Sequence, residues 1–287
     1  MNFWLLLTVN SVTFGGLLFL LSAGFSLIFG LMRIPNLTHG SLFMLGAYFG
    51  ATFATWYHFN FWLSALLSAL IVAGIGAAIE RLLLRQLAGK ELAQVLVTLG
   101  ISFMVADLCL MVWTGDPISV DNPPYLDGVT NIKGFLFSTY RLAIILIAVV
   151  IAVALWLLLD RTRLGAMIRA GVDDPQMARV VGIPVPQLFT IVFALGAGLA
   201  GFAGMIGSPI LSVYPGLDQD MLPLALVVVI LGGTGSLPGS LVGSLAVGAL
   251  YNFGQALLPE LAYFVLFLPM VLILALRPQG LFGRQAP

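Results

Sequence analysis

Apolar residues occur along this chain in long continuous runs, and short polar stretches separate the runs. About 20 consecutive apolar residues are enough for a helix to cross roughly 30 Å of hydrocarbon. Because the runs are continuous and do not alternate with polar positions, they predict helices and not the strands of a barrel. The pattern predicts spans at 10–33, 38–58, 61–84, 92–114, 139–159, 186–206, 221–234, 238–256 and 261–277.

The seventh run, 221–234, is too short to cross a bilayer comfortably and leads into Gly232, Gly233 and Gly235. It is therefore either a span or a broken, re-entrant helix. We expect an all-α polytopic membrane protein with eight or nine transmembrane helices, in a single transmembrane domain over 1–287. The composition agrees, because 60% of the residues are hydrophobic and only 8% are charged, against roughly 25% charged in soluble domains.

The basic residues fall unevenly between the two sides of these spans. Ten of the twelve lie on one side, and only Lys133 and Arg141 lie on the other. Since basic residues collect in cytoplasmic loops, the C-terminus and the segment 160–184 are predicted to be cytoplasmic, in a multi-pass protein of the lipid bilayer. The formal net charge of zero argues against nucleic acid as a partner, which would require a concentrated basic face.

Small residues recur at helical spacing inside several runs. Such stripes let helix backbones approach closely where lipid supplies no hydrophobic drive. We therefore expect packing seams rather than substrate sites along them. The stripes are Gly46, Gly50 and Ala54; Gly198, Gly201, Gly204 and Gly207; Gly235, Gly239 and Gly243; and Ser240, Ser244 and Gly248.

A dense polar stretch, 33–41, separates the first two runs. Pro35 has no backbone N–H and disfavours helix at the residue before it, so the helix must break there. Asn36 or Thr38 can then cap the next helix, and His39 follows directly. Transporters hold polar substrate groups at interrupted helices of this kind. We predict that Asn36, Thr38 and His39 line a substrate pathway; the alternative is an ordinary cytoplasmic turn.

Polar groups also stand inside otherwise apolar runs. Asp107 is interpreted as the one carboxylate well inside a span, where it must face water, find a partner or bind a proton. The alternative is a structural hydrogen bond or a place nearer the outer interface. Asn10 and Asn252 are further pathway candidates. The small number of charged residues inside the predicted spans favours a neutral or zwitterionic solute. Asp107 also allows an ion- or proton-coupled secondary transporter.

The chain shows no catalytic or metal-binding pattern. Gly89-Lys90 is followed by Glu91 and does not form a phosphate-binding loop. The single cysteine, Cys109, and two histidines provide no metal-ligand spacing. We expect neither an enzyme nor a cofactor or metal in this chain.

The segment 160–184 is a polar island between two apolar runs and carries four arginines, Arg161, Arg163, Arg169 and Arg179. Asp174 followed by Pro175 is typical of a helix start, and Gly182 of a helix end. A preceding short helix is predicted from Arg163 to Ala170, broken by Gly171. The island is therefore either a docking element of two short cytoplasmic helices or an interfacial loop anchored by arginine.

Several stretches of the chain are similar to one transporter family. The island reads RLGAMIRAGVDDPQMARVVGI and is followed by LFTIVFALGAGLAGFAGMI. Further matching stretches are LMRIPNLTHGSLFMLGAY, VVVILGGTGSLPGSLVGSL and the terminal RPQGLFG. Together and in this order they resemble the permease subunits of branched-chain amino acid ABC importers, in particular the shorter of the two permease types.

The resemblance implies a permease that works by alternating access in the bacterial inner membrane, from periplasm to cytoplasm. It implies as partners a second homologous permease, two cytoplasmic ATPases that bind ATP and Mg²⁺, and a periplasmic substrate-binding protein. It leaves the solute open among branched-chain amino acids, urea, short amides and aromatic acids. By position, the ATPase-coupling residues would be Arg163, Gly165, Arg169, Ala170, Asp173, Ala178 and Gly182.

Overall fold

The computed structural model describes residues 3–32, 36–132, 135–277 and 279–282. Within them the chain forms eleven α-helices, two short 3-10 helices (Leu84–Leu87 and Pro259–Leu261) and one antiparallel hairpin. The α-helices are α1 Phe3–Met32, α2 His39–Thr55, α3 Phe61–Leu82, α4 Glu91–Trp113, α5 Thr139–Arg161, α6 Arg163–Asp173, α7 Pro175–Val180, α8 Val185–Leu211, α9 Leu217–Gly232, α10 Leu237–Leu257 and α11 Ala262–Leu276. The strands are β1 Val129–Ile132 and β2 Phe135–Ser138.

Every predicted span falls on a helix, which confirms the helical membrane architecture. Five of the described helices, α1, α3, α4, α5 and α8, are long and apolar enough to cross a membrane. The total of eight or nine crossings stays a prediction, because α2, α9 and α11 have only 17, 16 and 15 residues, and α10, with 21 residues, is not among the five. The β1–β2 hairpin between α4 and α5 was not predicted, since its four-residue strands are too short to leave a periodic pattern.

The helices differ sharply in how deeply they are buried. The apolar stretch of α1 is 83% buried, whereas those of α4 and α5 are each 17% buried. The first half of α2 is buried throughout and packs against α8, α3, α9 and α4. The centre of the bundle is therefore α1, α2 and α8, and α4 and α5 lie at its periphery.

The small-residue stripes are packing seams, as predicted. A Cβ placed on Gly46 of α2 would lie 2.2 Å from the Cα of Gly201 in α8. A Cβ on Gly232 of α9 would lie 2.2 Å from the carbonyl oxygen of Gly239 in α10. Both distances are far below van der Waals contact, so the helix backbones touch and only glycine fits.

Two helices, α2 and α9, begin inside the bundle rather than at its surface. We call the end of the bundle where α3 and α5 finish the Arg-rich end, because Arg81, Arg85 and Arg161 lie there. His39, the first residue of α2, reaches the carbonyl of Leu21, which lies 11 residues before the end of α1. This places the start of α2 roughly 16 Å from the Arg-rich end.

The start of α9 lies at a similar depth. Val213 pairs with Ile118 in the loop after α4, at the end of the bundle opposite the Arg-rich end. The chain then turns at Gly216, whose φ of 101° is left-handed, and enters α9. A Cβ on Gly40 would lie 2.7 Å from the carbonyl oxygen of Asp218. The N-termini of α2 and α9 thus meet in the interior.

Candidate functional site

Polar side chains collect where the N-termini of α2 and α9 meet. We call this set the polar cluster and define it as Asn36, Thr38, His39, Ser41, Ser102 and Asp218. Its members come from the segment just before α2, the first turn of α2, the middle of α4 and the first turn of α9. All except Ser102 are buried, so the cluster is a polar region enclosed by an apolar bundle.

The segment before α2 is held to α4 by hydrogen bonds. Asn36 Oδ1 accepts from the backbone N–H of Thr38 at 3.1 Å. The hydroxyl of Thr38 donates to the carbonyl of Thr98 at 3.0 Å, although Thr38 occupies the N-cap position of α2. Of the two predicted capping residues, Thr38 makes no capping bond because its side chain crosses to α4, whereas Asn36 accepts from the backbone N–H two residues later, as a capping side chain does. Pro35, on which the predicted break depends, lies outside the described residues.

His39 is fully buried in the first turn of α2. Its Nε2 lies 3.0 Å from the carbonyl oxygen of Leu21, and its ring stacks on Phe25 at 5.1 Å between centroids. These contacts fix the ring against α1. Its Nδ1 is left without a protein partner among the described residues.

Ser41 links three helices at the centre of the cluster. Its hydroxyl lies 2.8 Å from the hydroxyl of Ser102 on α4 and donates to Asp218 Oδ2 on α9 at 3.1 Å. Asp218 is 4% exposed. Backbone N–H groups at the starts of α2 and α9 carry partial positive charge, and this stabilises a carboxylate that has no cation beside it in the described part of the chain.

Several buried polar atoms around the cluster have no hydrogen-bond partner in the described chain. They are Asn36 Nδ2, His39 Nδ1, Tyr48 Oη and Asp218 Oδ1. Leaving a buried polar group unsatisfied costs about 1–3 kcal/mol, so four around one site call for an explanation. These atoms include both hydrogen-bond donors and acceptors. Together they could replace the hydrogen bonds that a small polar solute makes with water.

The structure brings together three of the six predicted pathway residues, Asn36, Thr38 and His39. Asn10 instead accepts a hydrogen bond from Arg141 on α5. Asn252 donates to the carbonyl of Gly248 within its own helix at 3.0 Å. Asp107 lies on the exposed face of α4, apart from the cluster.

Two buried carboxylates were missed by the sequence reasoning, which took Asp107 as the one carboxylate inside a span. Asp218 was overlooked because it stands just before the predicted span 221–234. Glu80 lies inside the span 61–84 and is fully buried, where it accepts a hydrogen bond from Thr190 on α8. Its position in an apolar run was the available signal.

The second candidate region is the polar island, which forms two helices as predicted. Asp174 caps α7 by accepting from the backbone N–H groups of Gln176 and Met177, both at 2.9 Å. Gly182 follows α7 with a φ of 86°, which favours glycine. The predicted break at Gly171 is wrong, because α6 continues to Asp173 and Asp174 ends it.

The predicted coupling residues differ in their surroundings. Gly165 and Ala178 are buried, and Arg169 donates to the carbonyl of Leu159 and to Asp160 Oδ1 at 3.2 Å. These residues hold α6 and α7 against the bundle. The others are Arg163 and Gly182, which are exposed; Ala170, which is half-buried; and Asp173, which ends α6.

The exposed side of α7 and its C-terminal turn is apolar. Met177, Val180 and Val181 are 57%, 80% and 67% exposed. An apolar patch at the Arg-rich end, outside the long spanning helices, is typical of a protein contact. None of these three is among the residues that the resemblance implied for ATPase coupling.

A small apolar core connects the island to the bundle. Ile168 of α6 packs with Leu188 and Val192 of α8, and α8 in turn packs on α2 through Gly201 and Gly46. A displacement of α6 and α7 would therefore reach the polar cluster through α8.

Comparison with known proteins gives a consistent result. Residues 7–274 match the family described as branched-chain amino acid transport system, permease component. The chain is 26% identical to the high-affinity branched-chain amino acid transport system permease protein BraD of Pseudomonas aeruginosa, over 96% of this chain and 94% of that protein. It is 25% identical to the corresponding protein LivH of Escherichia coli, over 96% and 94%. The ribose import permease protein RbsC of Escherichia coli is 26% identical, over 74% and 67%. No solved structure gives a significant match.

Proposed function

Because this chain belongs to the family of branched-chain amino acid transport permease components, we propose that it is the membrane permease subunit of an ATP-driven importer in a bacterial inner membrane. Its partners are a second homologous permease, two cytoplasmic ATPases that bind ATP and Mg²⁺, and a periplasmic binding protein. The permease provides the passage, and the ATPases provide the energy.

The passage runs through the polar cluster. The observation that carries this proposal is the set of unpartnered buried atoms around Ser41 and Asp218, at the junction of two helices that begin inside the bundle. Transporters place substrate sites at such helix ends, because the N-terminal N–H groups and the adjoining backbone are free to bind polar groups. Ser41 and Asp218 are closed to solvent here, as one state of an alternating-access cycle would have them.

The solute is a small polar or zwitterionic molecule. A carboxylate oxygen of Asp218 and a ring nitrogen of His39 can accept, while the Asn36 amide and the Tyr48 hydroxyl can donate. An α-amino acid presents both kinds of group at one end, and so do amides. The relatives of this chain include branched-chain amino acid and ribose permeases, which agrees with a site for a small polar solute.

The island couples the ATPases to the passage. The exposed apolar side of α7, with Met177 and Val180, enters a groove on an ATPase. Movement of α7 is carried through α6, whose Arg169 and Gly165 fix the corner with α5, and then through Ile168 to α8. Since α8 packs directly on α2, this movement shifts the start of α2 relative to α9.

The test is co-expression of this chain with its neighbouring transporter genes, purification by a tag on this chain, and reconstitution in proteoliposomes. We expect two ATPases and a second permease to co-purify. Accumulation of one radiolabelled solute from a panel of leucine, urea and ribose should require ATP and the binding protein. Transport by this chain alone without ATP would contradict the proposal and favour the secondary transporter.

A further inference from the structure

Asp107 points away from the bundle, on a face of α4 that is otherwise apolar. Phe103, Met104, Leu108 and Met111 surround it, with exposed fractions of 58%, 65%, 54% and 81%. Asp107 itself is exposed, and no described residue of the chain makes a hydrogen bond or ion pair to it. The carboxylate therefore needs a partner from outside the chain.

The position of Asp107 along α4 argues against simple contact with the lipid headgroups. It lies six residues before Trp113, the last residue of α4, or about 9 Å along the helix axis. The 23 residues of α4 span about 34 Å, only a little more than the roughly 30 Å of hydrocarbon. An aspartate side chain is too short to reach the surface from there, unlike lysine or arginine. Charges at such depth face protein or water, not lipid.

A second copy of this chain would not supply a partner. The described basic residues other than Arg141 lie at the Arg-rich end, and Arg141 donates to Asn10. Around Asp107 the exposed face of α4 carries only apolar side chains, so a copy packed on it about a two-fold axis would bring apolar groups and a second carboxylate, not a cation or a hydrogen-bond donor. The partner therefore carries a different residue at this position.

We propose that the α4 face around Asp107 is the contact surface for a second, non-identical membrane permease subunit, which places a cationic or hydrogen-bond-donating side chain against the carboxylate. This inference rests on the proposed function, since it needs a two-permease assembly. Gly100 lies on the same face, seven residues before Asp107, and a Cβ there would meet nothing within 4 Å. A partner helix can approach closely beside the carboxylate.

Site-specific photocrosslinking in the complete complex tests this surface. A benzophenone side chain is placed at Met104 or Met111, on the Asp107 face, and as a matched control at Leu146, which is 65% exposed on α5. Membranes containing all subunits are irradiated, and the adducts are identified by mass spectrometry. Met104 and Met111 should cross-link to a different polytopic subunit, and Leu146 to lipid. Lipid adducts alone at both test positions, or adducts between two copies of this chain, would overturn the proposal.

A pair of substitutions provides a second readout. Asp107→Leu should reduce the second permease that co-purifies by roughly tenfold or more, because the partner's polar group loses its acceptor. Asp107→Asn keeps a hydrogen-bond acceptor at this position and should retain most of the co-purifying second permease. Undiminished co-purification with Asp107→Leu would refute the interface even if the wild-type complex contains ATPases and a second permease. A wild-type chain that co-purifies with no ATPase would instead count against the proposed function.

Discussion

The hydroxyl of Ser41, in α2, lies 3.1 Å from a carboxylate oxygen of Asp218, in α9. Both residues stand in the first turns of helices that begin inside the bundle, so two partially positive helix ends flank one carboxylate. The bond joins two elements whose relative movement would open the interior. The other carboxylate oxygen of Asp218 has no hydrogen-bond partner among the described atoms.

The seam between Gly46 and Gly201 sets the distance between α2 and α8. Gly46→Ala would place a Cβ 2.2 Å from the Cα of Gly201, and the helices must separate. We expect the free energy of unfolding to fall by about 1–3 kcal/mol or more. The single cysteine, Cys109, is buried, so its labelling by a thiol-reactive dye on heating reports unfolding directly.

The control for this seam is Gly74→Ala on α3, where a Cβ would meet nothing within 4 Å. Because alanine favours helix over glycine by about 1 kcal/mol, this variant should unfold at an equal or higher temperature. Equal labelling profiles for the Gly46 and Gly74 variants would contradict the packing account.

The buried carboxylate of Glu80 depends on Thr190. Thr190→Val removes the hydroxyl that donates to Glu80 Oε2, and Oε1 has no protein partner in the described chain. The loss should cost about 1–3 kcal/mol and appear as earlier Cys109 labelling. Thr55→Val, which removes only a bond to Ala51 in the same helix, should change the profile much less; similar shifts would contradict a special role for Glu80.

The start of α7 depends on Asp174, which accepts two backbone N–H groups. Asp174→Ala should lower the stability of this short helix by about 1 kcal/mol and so reduce ATP-driven uptake, whereas Asp174→Asn caps equally well and should retain it. Uptake in proteoliposomes at fixed ATPase content measures the difference. An inactive Asn variant beside an active Ala variant would show that capping is not what matters.

The exposed apolar side of α7 is predicted to hold an ATPase. Val180 is 80% exposed, so Val180→Glu should leave folding intact while placing a charge in an apolar contact. We expect ATPase subunits to co-purify in lower amount and uptake to fall roughly tenfold. Val180→Ala, which stays apolar, should be milder, and normal coupling in the Glu variant would show that α7 docks elsewhere.

The sequence predicted the features that depend on neighbouring residues. Long apolar runs predict helices regardless of where those helices pack in the bundle. The spacing of Gly46 and Gly50, which predicts a packing seam, can also be read within one helix. Asp174 and Pro175 likewise define a helix start by themselves. These predictions hold because their physical cause is local.

The polar cluster could not be predicted from the sequence, because it is formed by contacts between residues that are far apart in the chain. Ser41 and Asp218 are 177 residues apart, and Asp218 is buried only because α9 begins inside the bundle. Asp107 was a candidate for the substrate pathway, but it lies on the exposed face of α4, whereas Thr98 and Ser102 of the same helix face α2. Glu80 shows the converse, a carboxylate that is buried by α8 and not by its own helix.

The most direct test of the central claim compares Asp218→Asn with Asp220→Asn in the reconstituted complex. Asp218 is buried in the cluster, whereas Asp220 is exposed and accepts from Tyr214. The account predicts that Asp218→Asn assembles and hydrolyses ATP but accumulates solute at roughly a tenth of the wild-type rate or less, while Asp220→Asn transports normally. Wild-type accumulation by Asp218→Asn would contradict the assignment of the polar cluster as the passage.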